Sequence, residues 1–357
     1  MITIKRKIAA VIPVALVAIL MIILSRSDKK SEVILSPEPR RGTAVILTGA
    51  AARIPQEAAL LEEMDKRGLL KDLVFISGAS SGALNSVMLN GILAGRMTWD
   101  EYRNILYGLR NSDIFLQEGK KLPVNTSPAR ALYKRVIEEK LGYYRIGDLP
   151  YTTALSITHP EDLYLKRTNY RMFSRKINAE TDTTLNLVDI LMASTSFPLI
   201  FPAVRIENVT TIPDVDFIDG GTGEDMVPYY ALFEFEKFRG AGVEKIYIIS
   251  RKIGGAPEIS EELKGLGIND KGLFDRLGVS IDAIISKGIL KRLEAFSAEA
   301  PDHVPLTFVW IPDFEEDFLL FNFDNLKQQY DLTAEWAETH DPIPLSDYLL
   351  QHQVMKK

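Results

Sequence analysis

The chain has 357 residues, 46% hydrophobic and 25% charged, a composition that suits one large globular body or two smaller ones. It contains no cysteine, which excludes disulfides, a thiol nucleophile, Cys-ligated zinc and a lipoprotein anchor. Its net charge is −6, yet residues 1–30 carry +5, so the remainder stands at −11 and argues against nucleic-acid binding.

Taken in chain order, the first segment is unlike the rest. Lys5, Arg6 and Lys7 precede an apolar run from Ile8 to Leu24, and Arg26, Lys29 and Lys30 follow it. A cleaved signal peptide has an apolar core of roughly 7–15 residues and a small-residue exit. This run is longer, and Ile22-Ile23-Leu24-Ser25-Arg26 is a poor exit. Residues 1–30 are therefore expected to form an N-terminal anchor or uncleaved signal, with residues 8–24 in the bilayer as a single pass. Basic residues flank both ends, so charge leaves the side of the membrane open. The acidic body would not be drawn to anionic lipid by itself. Residues 31–42 hold two prolines and read as a linker, and residues 43–357 as the folded body.

The body alternates strand and helix signals. Strands are expected over Ala44–Leu47, Leu73–Ile76, Thr153–Thr158, Tyr170–Phe173, Val215–Ile218, Lys245–Ser250 and Leu306–Ile311. Helices are expected over Glu57–Arg67, Ala83–Leu93, residues 98–109 and 128–141, Leu185–Ala193, Tyr229–Phe238, Leu273–Phe296 and Asn325–Thr339. Ser127-Pro128 reads as a cap followed by a proline at the first helical position. This alternation predicts an α/β fold: a central, mainly parallel sheet sandwiched by helices, with a helical C-terminal portion. Ligand chemistry in such sheets lies at the carboxyl ends of the strands.

Three loops would meet there. Gly78-Ala79-Ser80-Ser81-Gly82 is a G-x-S-x-G between strand and helix, a context that lifts Ser80 Oγ above the sheet, with the next backbone N–H facing the same space. Thr48-Gly49-Ala50-Ala51-Ala52-Arg53-Ile54-Pro55 is a small-residue loop that can aim N–H groups at an oxyanion. Asp219-Gly220-Gly221 follows a short strand and offers a carboxylate. Each loop alone is also explained by an ordinary turn.

Together the three resemble the patatin-like phospholipase family, over about Thr43 to Asp219 and the helix beyond. Ala193-Ser194 to Ala203-Val204, with Pro198, Phe201 and Pro202, resembles a fourth stretch of that family. The resemblance implies a three-layer α/β/α body and a Ser–Asp dyad, with Ser80 as nucleophile and Asp219 as base. It places an oxyanion hole at the backbone of Gly49, Ala50 and Ala51, and Arg53 at the family's basic position, supporting the loop or meeting a negative lipid group. Gly78, Gly82, Gly220 and Gly221 are the motif glycines. The implied activity is phospholipase A or lysophospholipase type hydrolysis of lipid acyl esters.

The chain departs from the family where Ala50, Ala51 and Ile54 replace expected glycines. An alanine resists positive φ, so a catalytically weakened lipid- or partner-binding membrane protein stands as the alternative. A Ser-Asp-His triad would need a histidine after Asp219, where only His303, in a Pro-Asp-His-Val-Pro turn, and His340 and His352 near the C-terminus stand. No nucleotide- or metal-binding motif is present, so no cofactor is expected.

Overall fold

The computed structural model describes residues 40–116, 122–159, 183–198, 200–209, 215–222, 225–254 and 281–354. The expected anchor over residues 8–24, most of the linker, the Tyr170–Phe173 strand and the start of the Leu273–Phe296 helix lie outside them. Among the described residues no helix is long and apolar enough to cross a membrane.

The chain enters through β1 (Thr43–Leu47), α1 (Ile54–Lys66), β2 (Leu73–Ala79) and α2 (Ser81–Leu93). It continues with α3 (Trp99–Gly108), α4 (Ser127–Tyr133), β3 (Thr153–Thr158) and α5 (Leu187–Ser194). Then come β4 (Val204–Arg205), β5 (Asp216–Asp219), α6 (Tyr230–Arg239) and β6 (Lys245–Ile249). The last elements are α7 (Ile281–Glu299), β7 (Thr307–Trp310), α8 (Leu326–Thr339), β8 (Ile343–Pro344) and α9 (Leu345–Val354).

Local chemistry sets several of these ends. Thr98 and Glu101 form a reciprocal capping box at the start of α3. Asn186 caps α5 by accepting the Asp189 N–H, and Gly240 closes α6 in the left-handed conformation. Ser127 begins α4 rather than capping it, and the expected 128–141 helix passes into a π-helical turn over Lys134–Lys140.

The eight strands form one sheet in the order β4-β5-β3-β2-β1-β6-β7-β8. The five central strands are parallel, while β4, β5 and β8 join as antiparallel edge strands. The fold is a three-layer α/β/α sandwich whose sheet is mixed and parallel at its centre. Alternation along β1 divides the layers. Val45 and Leu47 pack with Leu60 and Met64 of α1 and Ala337 of α8. Ala44 and Ile46 face Leu232 of α6, Leu293 of α7 and Leu345 of α9. Beyond Asp219-Gly220-Gly221 the chain adds the expected strands β6 and β7 to this sheet, and a two-residue strand, β8, that was not expected.

Candidate active site

The site lies at the carboxyl ends of β1 and β2. β2 runs three residues beyond its expected end, through Gly78 and Ala79, and delivers Ser80 directly to the first residue of α2. Ser80 holds φ 56° and ψ −128°, a backbone that L residues avoid. The strain persists because the surroundings fix it. A Cβ on Gly82 would fall 2.3 Å from Thr48 O, and one on Gly78 would fall 2.3 Å from Gly82 O. Strand, turn and helix therefore close to backbone contact, and Ser80 is left half-buried above the sheet edge. It stands at the N-terminus of α2, where free N–H groups and the helix dipole favour negative charge.

Asp219 reaches the same place by a route not read from the sequence. It is the last residue of β5, which descends antiparallel beside β3 and pairs Asp219 with Ile157. The carboxyl end of β5 is thus level with the carboxyl end of β3. A Cβ on Gly220 would meet Ser156 Oγ at 2.1 Å, so only glycine lets the chain turn here against β3. The Asp219 carboxylate accepts Gly221 N–H at 2.8 Å and lies within interaction range of the Ser80 hydroxyl. The residue is 3% exposed, and burial pushes its carboxyl up to about 7 against the opposing pull of these two neighbours. A carboxyl poised there can exchange a proton with its neighbour near neutral pH.

The loop after β1 faces the serine, with Gly49 close enough that an added Cβ would stand 3.2 Å from Ser80 Cβ. Ala50 has φ −123° and uses its N–H on Ser81 Oγ at 2.8 Å. Ala51 takes φ 46°, the positive value expected of a glycine. Among the described residues the N–H groups of Gly49 and Ala51 have no internal partner. Ile54 has helical φ −48° and is 6% exposed, so its position makes no demand for glycine, and its side chain lines the cavity.

Arg53 is 1% exposed and points away from solvent. Its Nε and Nη2 donate to Phe318 O, the former at 2.7 Å, and its Nη1 donates to Lys252 O at 3.3 Å. Of its two expected roles, the bonds are those of a loop support. A further serine, in the fourth stretch, supports the turn through contacts that no local pattern encodes. Ser194 Oγ accepts the Ser80 N–H at 3.0 Å and donates to Ser156 O at 2.7 Å, tying the turn to β3.

Ser80 and Asp219 open onto a cavity of about 110 Å³ with mostly apolar walls. Leu84, Leu132, Met192, Ile285, Ile289 and Phe321 are among the residues that line it. None of the four histidines lines it. His303 is fully buried elsewhere, 2.7 Å from the Glu236 carboxylate, so the expected triad alternative has no histidine at the site.

Comparison with known proteins adds the following. A family model described as patatin-like phospholipase matches residues 45–233. No curated protein matches the chain by sequence. Among solved structures, VipD from Legionella pneumophila aligns at 12% identity over 88% of this chain and 72% of that one, with a TM-score of 0.41. The complex of full-length SpcU with full-length ExoU from the type III secretion system of Pseudomonas aeruginosa aligns at 14% identity. It covers 71% of this chain and 53% of that one, with a TM-score of 0.31.

Proposed function

The chain belongs to the patatin-like phospholipase family, and on that premise we propose that it hydrolyses lipid acyl esters, as a phospholipase A or lysophospholipase, through a Ser80–Asp219 dyad. The observation that carries the reading is that Ser80, on its strained strand-to-helix turn, and the buried Asp219 carboxylate line one apolar cavity within interaction range of each other. Asp219 takes the hydroxyl proton as Ser80 Oγ attacks the ester carbonyl. The carbonyl oxygen becomes an oxyanion, held by the N–H groups of Gly49 and Ala51 and the start of α2. Collapse expels the alcohol, which receives the proton from Asp219, and leaves an acyl-serine. Water, deprotonated by the same carboxylate, then releases the fatty acid. No cofactor enters these steps. We also propose that residues 8–24 tether the body to a membrane that supplies the substrate.

A second reading has one observation in its favour. Ala50 N–H is spent on Ser81 Oγ, which leaves a narrower set of donors for an oxyanion. A lipid-binding protein with weak turnover would fit that loop.

An ester-hydrolysis assay with a serine-reactive fluorophosphonate separates the two. Ser80→Ala, Asp219→Asn and the double variant should fall to about the same residual rate, because groups acting as one unit lose their effects non-additively. Wild type should label at Ser80. Its rate should rise with pH through about 7, since the base must first lose its proton. If Asp219→Asn retains most of the activity, the dyad is wrong. If wild type neither labels nor turns over, the binding reading prevails.

A further inference from the structure

Residues 311–325 join β7 to α8 without forming helix or strand and lie outside the family-matched segment, and Leu320, Phe321 and Phe323 among them line the cavity. Their backbone is nevertheless held at several points. Arg53 donates to Phe318 O, and Ala52 N–H donates to Leu320 O at 2.7 Å. Asn111 Oδ1 accepts Phe323 N–H at 2.8 Å, and the Asn111 N–H and Nδ2 groups both reach the Asp324 carboxylate at 3.1 Å. Phe321, between these ties, is 1% exposed and lines the cavity. Its ring centroid stands 5.8 Å from that of Phe197 and 6.0 Å from that of Phe201, both also in the lining.

Two of these ties come from Ala52 and Arg53, next in sequence to Ala51. The loop that would hold the oxyanion and the aromatic wall are thus separated by one hydrogen bond. An ester carbonyl seated at the loop would place its acyl chain in the same cavity that Phe321 lines, and the bonds of its neighbours hold that wall to the loop. We infer that Phe321 limits the length of acyl chain this site accepts, its place in the cavity wall being held by the bonds of its neighbours to Arg53 and Ala52. The inference rests on the ester-hydrolase reading. An acyl chain fits because the wall is apolar and aromatic and the cavity is continuous with Ser80.

The test is a series of p-nitrophenyl esters from acetyl to palmitoyl, with wild type, Phe321→Ala, Phe321→Leu and Phe321→Trp. Phe321→Leu keeps most of the packing should the alanine variant fail to fold. Both smaller residues should move the optimum to longer chains. The ratio of kcat/KM for palmitoyl over butanoyl should rise about tenfold or more, the scale on which an apolar pocket discriminates chain length. Phe321→Trp should move the optimum to shorter chains. A profile that does not move in folded variants overturns the inference. If wild type hydrolyses no ester, the hydrolase reading fails, and the same variants are read by displacement of a fluorescent fatty acid with saturated acids of increasing length. The same shift in binding preference then supports Phe321 as the length-setting wall. An unmoved preference, or no fatty-acid binding, overturns it.

Discussion

Ala51 sits at φ 46°, where its Cβ crowds the following carbonyl oxygen at a cost of roughly 1–2 kcal/mol. Ala51→Gly should relieve most of this, less the freedom glycine adds to the unfolded chain, for a net gain of roughly 1 kcal/mol. Denaturant midpoints would show the gain, and fluorophosphonate labelling should not slow. Ala50→Gly is the control: φ −123° carries no strain, so glycine there should lose stability by about 0.5–1 kcal/mol. Equal gains at both positions would refute strain as the cause. The sequence carried this site unevenly. The serine turn, the small-residue loop and Asp219 are local patterns and can be read from spacing. Which alanine bears the strain depends on how the loop closes onto α2. Arg53 and Phe321 depend on contacts with residues far along the chain, which no local pattern encodes.

At the scale of elements, β1, α1 and α2 meet around a buried carboxyl. Glu57, fully buried in α1, bonds Thr48 at 3.0 Å and Asn85 of α2 at 3.1 Å, while Thr48 also bonds Ser250 at 2.7 Å. Burial pushes Glu57 up to about 8, against the lowering pull of Asn85, Thr48 and the Arg251 charge. Over that window the folded chain holds a proton that the unfolded chain, titrating near 4.5, has released. The stabilisation is full below 4.5 and is lost as pH rises to about 8, with a slope of about 1.4 kcal/mol per pH unit. Glu57→Gln mimics the protonated acid, its oxygen accepting from Asn85 and its amide donating to Thr48. Between pH 6 and 8 wild type should lose roughly 2 kcal/mol more than the variant in urea unfolding. Parallel losses would mean that Glu57 is already ionised in the folded chain. Most elements were legible because their apolar spacing is clear, as in β1 and α8. The direction of β5 was not: four residues between turns carry no sign of parallel or antiparallel pairing, and the geometry of Asp219 depends on it.

Over the whole molecule the sheet does not stop where the family match stops. β6 lies against β1, so the middle of the core joins a strand inside the matched segment to one beyond it. Strand and helix alternation predicted a parallel sheet but not the strand order, which is set by long-range pairing. The same junction decides where the body begins. The sequence puts that boundary at Thr43, after the last linker glycine. The structure shows residues 40–42 already bonded to the turn before β6. Arg41 N–H donates to Gly242 O at 2.9 Å, Glu244 N–H to Gly42 O at 2.8 Å, and Arg40 Nη1 to Val243 O at 3.3 Å. Each such bond contributes about 1 kcal/mol net. Because the turn is shared with the strand beside β1, losing these bonds frays both central strands at one end. A chain starting at Arg40 should therefore fold without the upstream residues. One starting at Thr43 should be less stable by roughly 2 kcal/mol and melt several degrees lower. Thermal unfolding followed by circular dichroism compares the two. Identical melting temperatures would place the start of the body at Thr43, as the sequence alone suggested, and leave residues 40–42 as linker.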